Sequence, residues 1–580
     1  MSLVKKPRKP RKKMSPEEKA EARRKREEKK FRLSIKDIFL KSGFKYIKSE
    51  SKEFTLSTTS GNRTTELDGV FVYENIVILV EDTCTASPNK HLASKQVFFG
   101  LALQNQEALI NCLADNLSDF KAHFDANQFT AKDYVTRITY FSMHSVDSEH
   151  VENAVRAGVY VIEKAITNYF SALVKTVAES AIYEIFQYLQ INFSDIGESK
   201  ISGGNQKNVK FYKGFLLPEN NSSYPDGYKV ISFYADPDSL LKKSFVLRKN
   251  SWQNPNFSYQ RVLDIKKIKL MRKYLCDSKR VYVNNIIATL PPSTKIHDEQ
   301  TSNQLTAAEL EIVKPIQISL PDEYNVVGLI DGQHRVFSYH KGSDTFEKEI
   351  LKLRKKQNLL VTGIIYPEGT TDDARVQFEA KLFLEINDRQ TKVKSALTQE
   401  IELIVNPYSA TAIAKAIVIK LARSGALKDK LEEHVFDDAK KLKIASIISY
   451  GLKPLIKKDG EDSLFTAWDE PQKKDLILLQ KDRSALEEYI EFCFKEVNTI
   501  LNAVKISAPD KWKIGDEEKL LTPTSINGFI RCLRFIIENG ETRTLENYKS
   551  KLSRIREFDF KPYKSSHWNN LGTDLYNKYF

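Results

Sequence analysis

The first third of the chain mixes short apolar runs with amphipathic stretches, the pattern of a mixed α/β domain. Ser15, Pro16 and Glu18 predict a helix start, because Ser caps the first N–H groups, Pro suits the first turn and Glu completes a capping box. This helix, to about Lys30, is almost wholly charged. Apolar runs at 67–73, 76–81 and 135–142 predict strands, and helical patterns cover 34–42, 91–109 and 148–190. We therefore predict an α/β domain over residues 31–195, preceded by a basic tail and charged helix over 1–30.

The rest of the chain is predicted to divide twice. Residues 196–206 contain three glycines and no apolar periodicity, which predicts a linker. A second α/β domain is expected over 207–405, with strands at 325–330 and 359–366 and helices near 261–275 and 371–386. The pattern from 406 to 580 is mostly helical. The predicted fold class is therefore α/β and multi-domain, with a mostly helical C-terminal region.

Charge is concentrated at the N-terminus. The net charge is +14, and residues 1–30 carry 14 Lys or Arg against 5 Asp or Glu. Such a tail fits contact with nucleic acid or another acidic partner, and a solvated leader is equally consistent with it.

Composition and missing motifs exclude several classes of protein. The five cysteines are widely spaced and form no CxxC pair, which excludes a zinc ribbon and leads us to expect a cytoplasmic location. No apolar run approaches the ~18 residues of a membrane span, and no apolar segment follows the basic leader, so we expect no membrane contact and no signal peptide. The P-loop, the dinucleotide-binding glycine motif and the common hydrolase and kinase motifs are absent from the sequence.

A polar motif follows the predicted strand at 325–330. Gly332 permits a tight turn or a close backbone approach, and Arg335 can bind a phosphate with two parallel hydrogen bonds. His334 adds a donor, and Asp331 can hold a metal beside a phosphate. The alternative is structural: Asp331 caps the helix and Arg335 pairs with an acid.

This motif, DGQHR, gives its name to a family that the chain resembles over roughly 207–425. Two further segments carry the resemblance: Tyr259–Gln260–Arg261 before the basic helix, and the stretch from Phe383 to Val393. The DGQHR-domain family includes the DNA-modification regulator DndB, and it is similar to the ParB/sulfiredoxin-like fold. The resemblance implies that a nucleoside triphosphate, with ATP as the expected one, binds at Asp331, Gly332, Gln333, His334, Arg335, Arg261, Asn387 and Gln390. Helix-end capping by Asn387 and Gln390 is compatible with that role.

A second constellation lies on the predicted hairpin of the first domain. Asp68 and Glu81 fall near the ends of paired strands, where two carboxylates can share Mg²⁺ or Mn²⁺ and so support phosphodiester hydrolysis. The run from 31 to 165 resembles the PD-(D/E)xK nuclease core, also known as the restriction-endonuclease-like fold. The resemblance implies Asp68 and Glu81 as catalytic metal ligands. The alternative is a pair of surface acids on an ordinary hairpin.

The chain departs from the nuclease pattern at one position. The lysine expected two residues after Glu81 is Thr83. Its role, to stabilise the developing phosphorane, falls in our prediction to Lys95 of the following helix, with Lys90 as second choice. If neither lysine reaches the acids, the domain is expected to bind without cleaving.

A lysine-rich stretch lies within the predicted second domain. We expect DNA contacts from Lys266, Lys267, Lys269, Arg272 and Lys273, because backbone phosphates are bound by such points of charge. A solvated helix face is the commoner explanation for a single charge run.

Three functions remain open on the sequence. The first is a DNA-acting protein of a prokaryotic DNA-modification or phage-defence system, in which a nuclease-like domain is coupled to a nucleotide-binding DGQHR domain and other defence proteins are partners. The second is a DndB-like DNA-binding transcriptional regulator without enzyme activity. The third is a nucleotide hydrolase that acts through the DGQHR domain.

Overall fold

The structure is a computed structural model of the 580-residue chain. It describes residues 15–49, 52–59, 61–201, 210–246, 263–306, 308–388, 395–432, 441–515 and 520–580. The chain forms two compact units, one made of residues 1–208 with 340–347 and the other of residues 209–339 with 348–580. Both units combine helices and strands, so the predicted mixed α/β class is confirmed.

The first unit begins with one long helix, α1 (Pro16–Lys41), which begins where the sequence predicts. The Ser15 side chain accepts the backbone N–H of Glu18, and the Glu18 carboxylate accepts that of Ser15, which completes the capping box. The sequence predicted a break between a charged helix and a second helix at 34–42, and this was wrong. The charged half continues directly into an apolar stripe, whose buried residues are Phe31, Ile35, Ile38 and Phe39. Gly43, with φ of 99°, follows the helix end.

A five-stranded sheet forms the centre of this unit, in the order β1-β4-β5-β6-β7. Its strands are β1 (Lys45–Ile47), β4 (Gly69–Tyr73), β5 (Ile76–Thr83), β6 (Val135–Ser142) and β7 (Val159–Glu163). β4 is antiparallel to its neighbours β1 and β5, whereas β5, β6 and β7 run parallel. A separate hairpin is made of β2 (Glu53–Thr58) and β3 (Gly61–Glu66).

Seven further helices belong to the described part of this unit. They are α2 (Pro88–Gln104), α3 (Gln106–Asn116), α4 (Ser118–Asp125), α5 (Ser148–Arg156), α6 (Lys164–Val177), α7 (Ile182–Tyr188) and α8 (Gly197–Ile201), with 3-10 turns at Ala178–Ala181 and Phe193–Asp195. The predicted continuous helix over 148–190 was wrong, because β7 interrupts it and adds the outer parallel strand. Residues 202–209, which include part of the predicted linker, lie outside the described residues.

An eight-stranded sheet, in the order β10-β14-β11-β15-β9-β8-β13-β12, organises the second unit. Its strands are β8 (Phe211–Leu217), β9 (Lys229–Ala235), β10 (Ser244–Val246), β11 (Ile286–Leu290), β12 (Lys295–Asp298), β13 (Lys314–Ser319), β14 (Val327–Asp331) and β15 (Leu359–Ile365). The associated helices are α9 (Glu219–Ser222), α10 (Pro237–Lys243), α11 (Ile265–Ser278), α12 (Gln333–Phe337), α13 (Glu347–Lys356) and α14 (Asp372–Asp388), with a 3-10 turn at Ala308–Glu311. α14 packs its apolar side, including Val376, Ala380 and Phe383, over Ile330 and Ile364 of the sheet.

The C-terminal part of this unit is helical, as the sequence predicts. Its helices are α15 (Ser395–Val405), α16 (Ala410–Ser424), α17 (Lys453–Leu455), α18 (Leu464–Ala467), α19 (Pro471–Leu478), α20 (Arg483–Ser507), α21 (Pro523–Glu538), α22 (Leu545–Lys551) and α23 (Trp568–Tyr579), with a π-helix at Ile447–Leu452 and 3-10 turns at Ile555–Glu557 and Ser565–His567. One large apolar core joins α16 to α23, whereas α15 contributes Ile401 and Ile404 to the apolar cluster beneath α14. Among the residues that the structure describes, no helix has the length and apolar character of a membrane span.

Candidate functional site

Asp68 and Glu81 meet at the end of the β4–β5 hairpin. Gly69 pairs with Val80, so the antiparallel register carries Asp68 to the position opposite Glu81, where side chains share a face of the sheet. The Asp68 carboxylate accepts the backbone N–H of Asp82 at 2.8 Å, which fixes it against the end of β5. The two acids are therefore held together by the hairpin itself.

Glu81 is the buried member of this pair, with its side chain 5% exposed. Its Oε1 lies 2.8 Å from Lys95 Nζ, and its Oε2 is buried without a hydrogen-bond partner. Burial and the neighbouring Asp68 charge raise the pKa of Glu81 to about 7, although Lys95 acts in the opposite direction. Ionisation of Glu81 is therefore disfavoured in the folded protein, and a further cation beside it would favour the ionised form.

Lys95 reaches the acids from the second turn of α2. Its Nζ contacts Glu81 and also donates to the Glu66 carbonyl at 3.3 Å. Lys90, the second choice on sequence grounds, is exposed, and within the described part of the chain it makes no ion pair. Of the two lysines, Lys95 is the one that contacts Glu81 in the described part of the chain. Thr83, which occupies the usual lysine position, is buried.

His91 completes the site and was missed by the sequence reasoning. Its Nε2 lies 3.5 Å from Glu81 Oε1, and its Nδ1 lies 3.1 Å from the Tyr140 hydroxyl, which in turn donates to the Pro88 carbonyl. Burial and the charge of Lys95 lower the pKa of His91. The spacing of four between His91 and Lys95, which places both on one helix face, was the available signal.

Arg32 of α1 was also missed. Its Nε donates to Asp82 Oδ1 at 2.8 Å, next to the acid pair. Burial and Asp68 raise the pKa of Asp82, and this ion pair opposes the rise. The predicted helix break after Lys30 concealed the position of Arg32 on a continuous helix.

The donor set at this site fits a divalent cation with few protein ligands. In the described ranges no three His, Cys, Asp or Glu side chains cluster as a metal site. Mg²⁺ commonly takes one or two carboxylates and completes its shell with water and substrate phosphates. Glu81 Oε2, buried without a partner and beside the Asp68 carboxylate, is the kind of ligand atom such an ion uses.

The DGQHR motif forms a strand, a turn and a single helical turn. Gly332, with φ of 91°, joins β14 to the five-residue helix α12. A Cβ at this position would lie 3.0 Å from both Arg335 Nη2 and Ile286 Cγ1, so the glycine is required by conformation and by space. The helix has five residues, which is too short to carry a large macrodipole.

Arg335 lies over the turn, and its guanidinium donates hydrogen bonds to other groups of the protein. Nη2 donates to Asp331 Oδ2 at 2.9 Å and to the Asn285 carbonyl at 2.8 Å. This is the ion pair that the structural alternative predicted. A phosphate at the turn would have to compete with Asp331 for Arg335.

The other motif residues have separate environments. The His334 Nε2 accepts the backbone N–H of Asp264 at 3.1 Å, at the start of α11. Gln333 is buried, and neither its Oε1 nor its Nε2 has a hydrogen-bond partner. Arg261 and Gln390 lie outside the described residues, as does the side chain of Asn387 at the end of α14.

The lysine-rich helix α11 divides into an exposed and a buried face. Lys266, Lys267, Lys269 and Lys273 are exposed. Arg272 was predicted to contact DNA, and this was wrong: it is fully buried and donates from Nη1 to the Ser338 carbonyl at 3.0 Å. It anchors α11 to the segment that follows α12.

Comparison of this chain with models of protein families, with curated proteins and with solved structures gives no match.

Proposed function

We propose that this chain acts on DNA in a prokaryotic DNA-modification or phage-defence system. It cleaves phosphodiester bonds with Asp68, Glu81 and Lys95 as its catalytic groups. The observation that carries the proposal is the contact of 2.8 Å between Lys95 and the buried Glu81, beside Asp68. Two carboxylates and a lysine are the groups that the nuclease resemblance requires. A hairpin, helix α2 and the parallel strand β6 follow one another in the order on which that resemblance depends.

Each residue has a distinct part in this chemistry. Asp68 and Glu81 would hold Mg²⁺ or Mn²⁺, whose contribution when bound is to lower the pKa of water and offset phosphate charge. Lys95 stabilises the charge that develops on the phosphorane, with its ammonium held by the Glu66 carbonyl as well as by Glu81. Arg32, through its ion pair with Asp82, positions the end of β5.

The second part of the proposal is nucleoside-triphosphate binding, with ATP as the expected ligand, at the DGQHR turn. The tight glycine turn, the partly exposed Asp331 and the unpartnered amide of Gln333 support it. Arg335 would exchange Asp331 for phosphate oxygens, to which guanidinium binds in bidentate fashion. In this scheme the nucleotide governs DNA cleavage.

The test is cleavage of supercoiled plasmid by the purified full chain with Mg²⁺ or Mn²⁺, with and without ATP. We expect cleavage by the unmutated protein and a loss of at least a hundredfold in Asp68→Ala and in Lys95→Met. Lys90→Met is the matched control, since Lys90 is exposed on the same helix, and it should retain activity. Equal activity of the Lys95 and Lys90 variants would refute the assignment.

A second candidate is a DNA-binding regulator without cleavage, in the manner of DndB. The observation that favours it is Thr83 at the usual lysine position, with Lys95 shared between Glu81 and the Glu66 carbonyl. DNA binding without cleavage, equal in the unmutated protein and in Asp68→Ala, would select it. Release of phosphate from ATP without DNA cleavage would instead select a nucleotide hydrolase.

A further inference from the structure

The outer face of α11 carries a leucine where a solvated helix carries a polar residue. Ile268, Arg272 and Leu275 are the buried positions of this helix. At 100° per residue, Leu270 lies on the opposite side, and it is 69% exposed. Leu270 is therefore an apolar residue on the outward side of the helix, a side that it shares with the exposed Asp277 two turns further on, and this departs from the usual amphipathic pattern.

Lysines surround this leucine. Lys266 and Lys273 lie on one side of it along the helix surface and Lys267 on the other, and all three are exposed. Among the described residues of α11 the exposed face carries one carboxylate, Asp277. The face therefore combines strong positive charge with a central apolar contact point.

The neighbouring segment extends the apolar contact. Tyr274, one turn after Leu270, is 43% exposed, and its ring stacks on Tyr282 at 5.3 Å between centroids. Val283 follows with 86% exposure. An exposed apolar group of this kind, rimmed by lysines, indicates a binding surface for a polyanion that also offers apolar groups.

The major groove of duplex DNA has this chemistry. It admits one α-helix between two rows of phosphates, and the 5-methyl group of thymine is the apolar feature on its floor. Lysines on both sides of a helix in the groove reach the phosphates, which fix the register without reading sequence. An outward leucine then contacts the floor.

We infer that α11 is a DNA-reading helix that lies in the major groove, with Leu270 against thymine methyl groups. This rests on the proposed function only in requiring that the chain binds DNA. The helix is suited to the task because it is held at its start and at its middle: Asp264 caps it and donates its own N–H to His334, and the buried Arg272 binds the Ser338 carbonyl. A rigidly supported helix can place one side chain reproducibly.

The experiment compares two duplexes of the same sequence, one with thymidine and one with deoxyuridine throughout, which differ only in the 5-methyl groups. Binding of the full chain is measured without divalent cations, so that no cleavage occurs. We expect the unmutated protein to bind the thymidine duplex about fourfold more tightly for each methyl group contacted. Leu270→Ala should bind both duplexes equally, at the level of the unmutated protein on the deoxyuridine duplex.

Two control variants separate the causes. Leu479→Ala removes a leucine of similar exposure, 61%, from another surface and should keep the discrimination. Lys266→Ala should weaken binding to both duplexes equally and lower the dependence of log affinity on log salt by about one phosphate contact. Circular dichroism checks that the exposed substitutions leave the fold intact.

The outcomes are distinct. If the unmutated protein binds neither duplex, DNA binding fails and this inference fails with it. If it binds both duplexes equally, or if Leu270→Ala still discriminates, DNA binding stands and the groove assignment is overturned. Salt-dependent binding to polyglutamate with none to duplex would also overturn it, in favour of an acidic protein partner.

Discussion

Replacing Glu81 by glutamine should make the protein more stable and inactive at the same time. Glu81 is buried beside Asp68, and one of its oxygens has no partner, so its ionised form is held at a cost. Glutamine has nearly the same shape, carries no charge, and keeps an oxygen that can accept from Lys95. The substitution therefore removes the electrostatic penalty while leaving the packing in place.

The pKa sets the size of the effect. A tenfold change in acid dissociation corresponds to about 1.4 kcal/mol, so a rise from the ordinary 4.5 to about 7 amounts to about 3 kcal/mol. Because the pKa is raised in the folded state, this contribution to stability is fully present below about pH 4.5 and is lost as the pH rises through about 7. Because part of the Lys95 interaction is lost, we expect the free energy of unfolding of the Glu81→Gln variant to exceed that of the unmutated protein by about 1–3 kcal/mol at pH 8 and by almost nothing at pH 4.

Calorimetry of the full chain at the two pH values measures this difference. The transition of the N-terminal unit should rise by about 2–4 °C for each kcal/mol at pH 8. Glu107→Gln, an exposed substitution in the same unit, is the control and should change little at either pH. Millimolar Mg²⁺ should stabilise the unmutated protein and not the Glu81→Gln variant. If the variant is no more stable than the unmutated protein at pH 8, Glu81 does not carry a penalty and the account of the site is wrong.

Three further predictions concern the second unit and the tail. Arg335→Ala should abolish ATP binding, which titration calorimetry measures, and unchanged ATP affinity would contradict this. The same substitution should lower the free energy of unfolding by about 1–3 kcal/mol in urea unfolding, because Asp331 loses its partner. Arg272→Ala should destabilise by about 2–4 kcal/mol, because it empties a buried site, whereas exposed Lys273→Ala should leave urea unfolding unchanged and weaken DNA binding. Deletion of residues 2–14 should reduce the slope of log affinity against log salt, and an identical slope would show that the tail makes no phosphate contacts.

The local chemistry of the first unit could be predicted where sequence rules act over a few residues. The capping box at Ser15 and strand β6 follow from such rules, and the structure has both as predicted. The meeting of Asp68 with Glu81 also follows, since a short turn leaves few registers for a hairpin. The approach of Lys95 was expected from a helix start near His91; α2 begins earlier, at Pro88, and Lys95 in its second turn contacts Glu81.

Features that depend on tertiary packing could not be predicted in this way. The strand β7 has five residues between helical patterns, and only its place beside β6 makes it a strand. A count of lysines and arginines treats every basic residue as exposed, so it cannot distinguish Arg272 from its neighbours. The sequence left open whether Arg335 binds phosphate or pairs with an acid, and its pairing with Asp331 depends on the three-dimensional geometry of the turn.

Because α1 is one continuous helix, it sets a fixed distance between its N-terminal end and the acid pair. Arg32 fixes one point of the helix beside the acid pair through Asp82, and the helix begins at Pro16. At about 1.5 Å per residue, the basic leader is therefore joined to the domain roughly 24 Å along the axis from Arg32. The i,i+4 ion pairs of the charged half, such as Arg23 with Glu27, favour a straight helix over that span. Insertion or removal of whole turns in the charged half would change the distance between Pro16 and the acid pair without altering the acid pair. The length of the charged half of α1 therefore sets that distance.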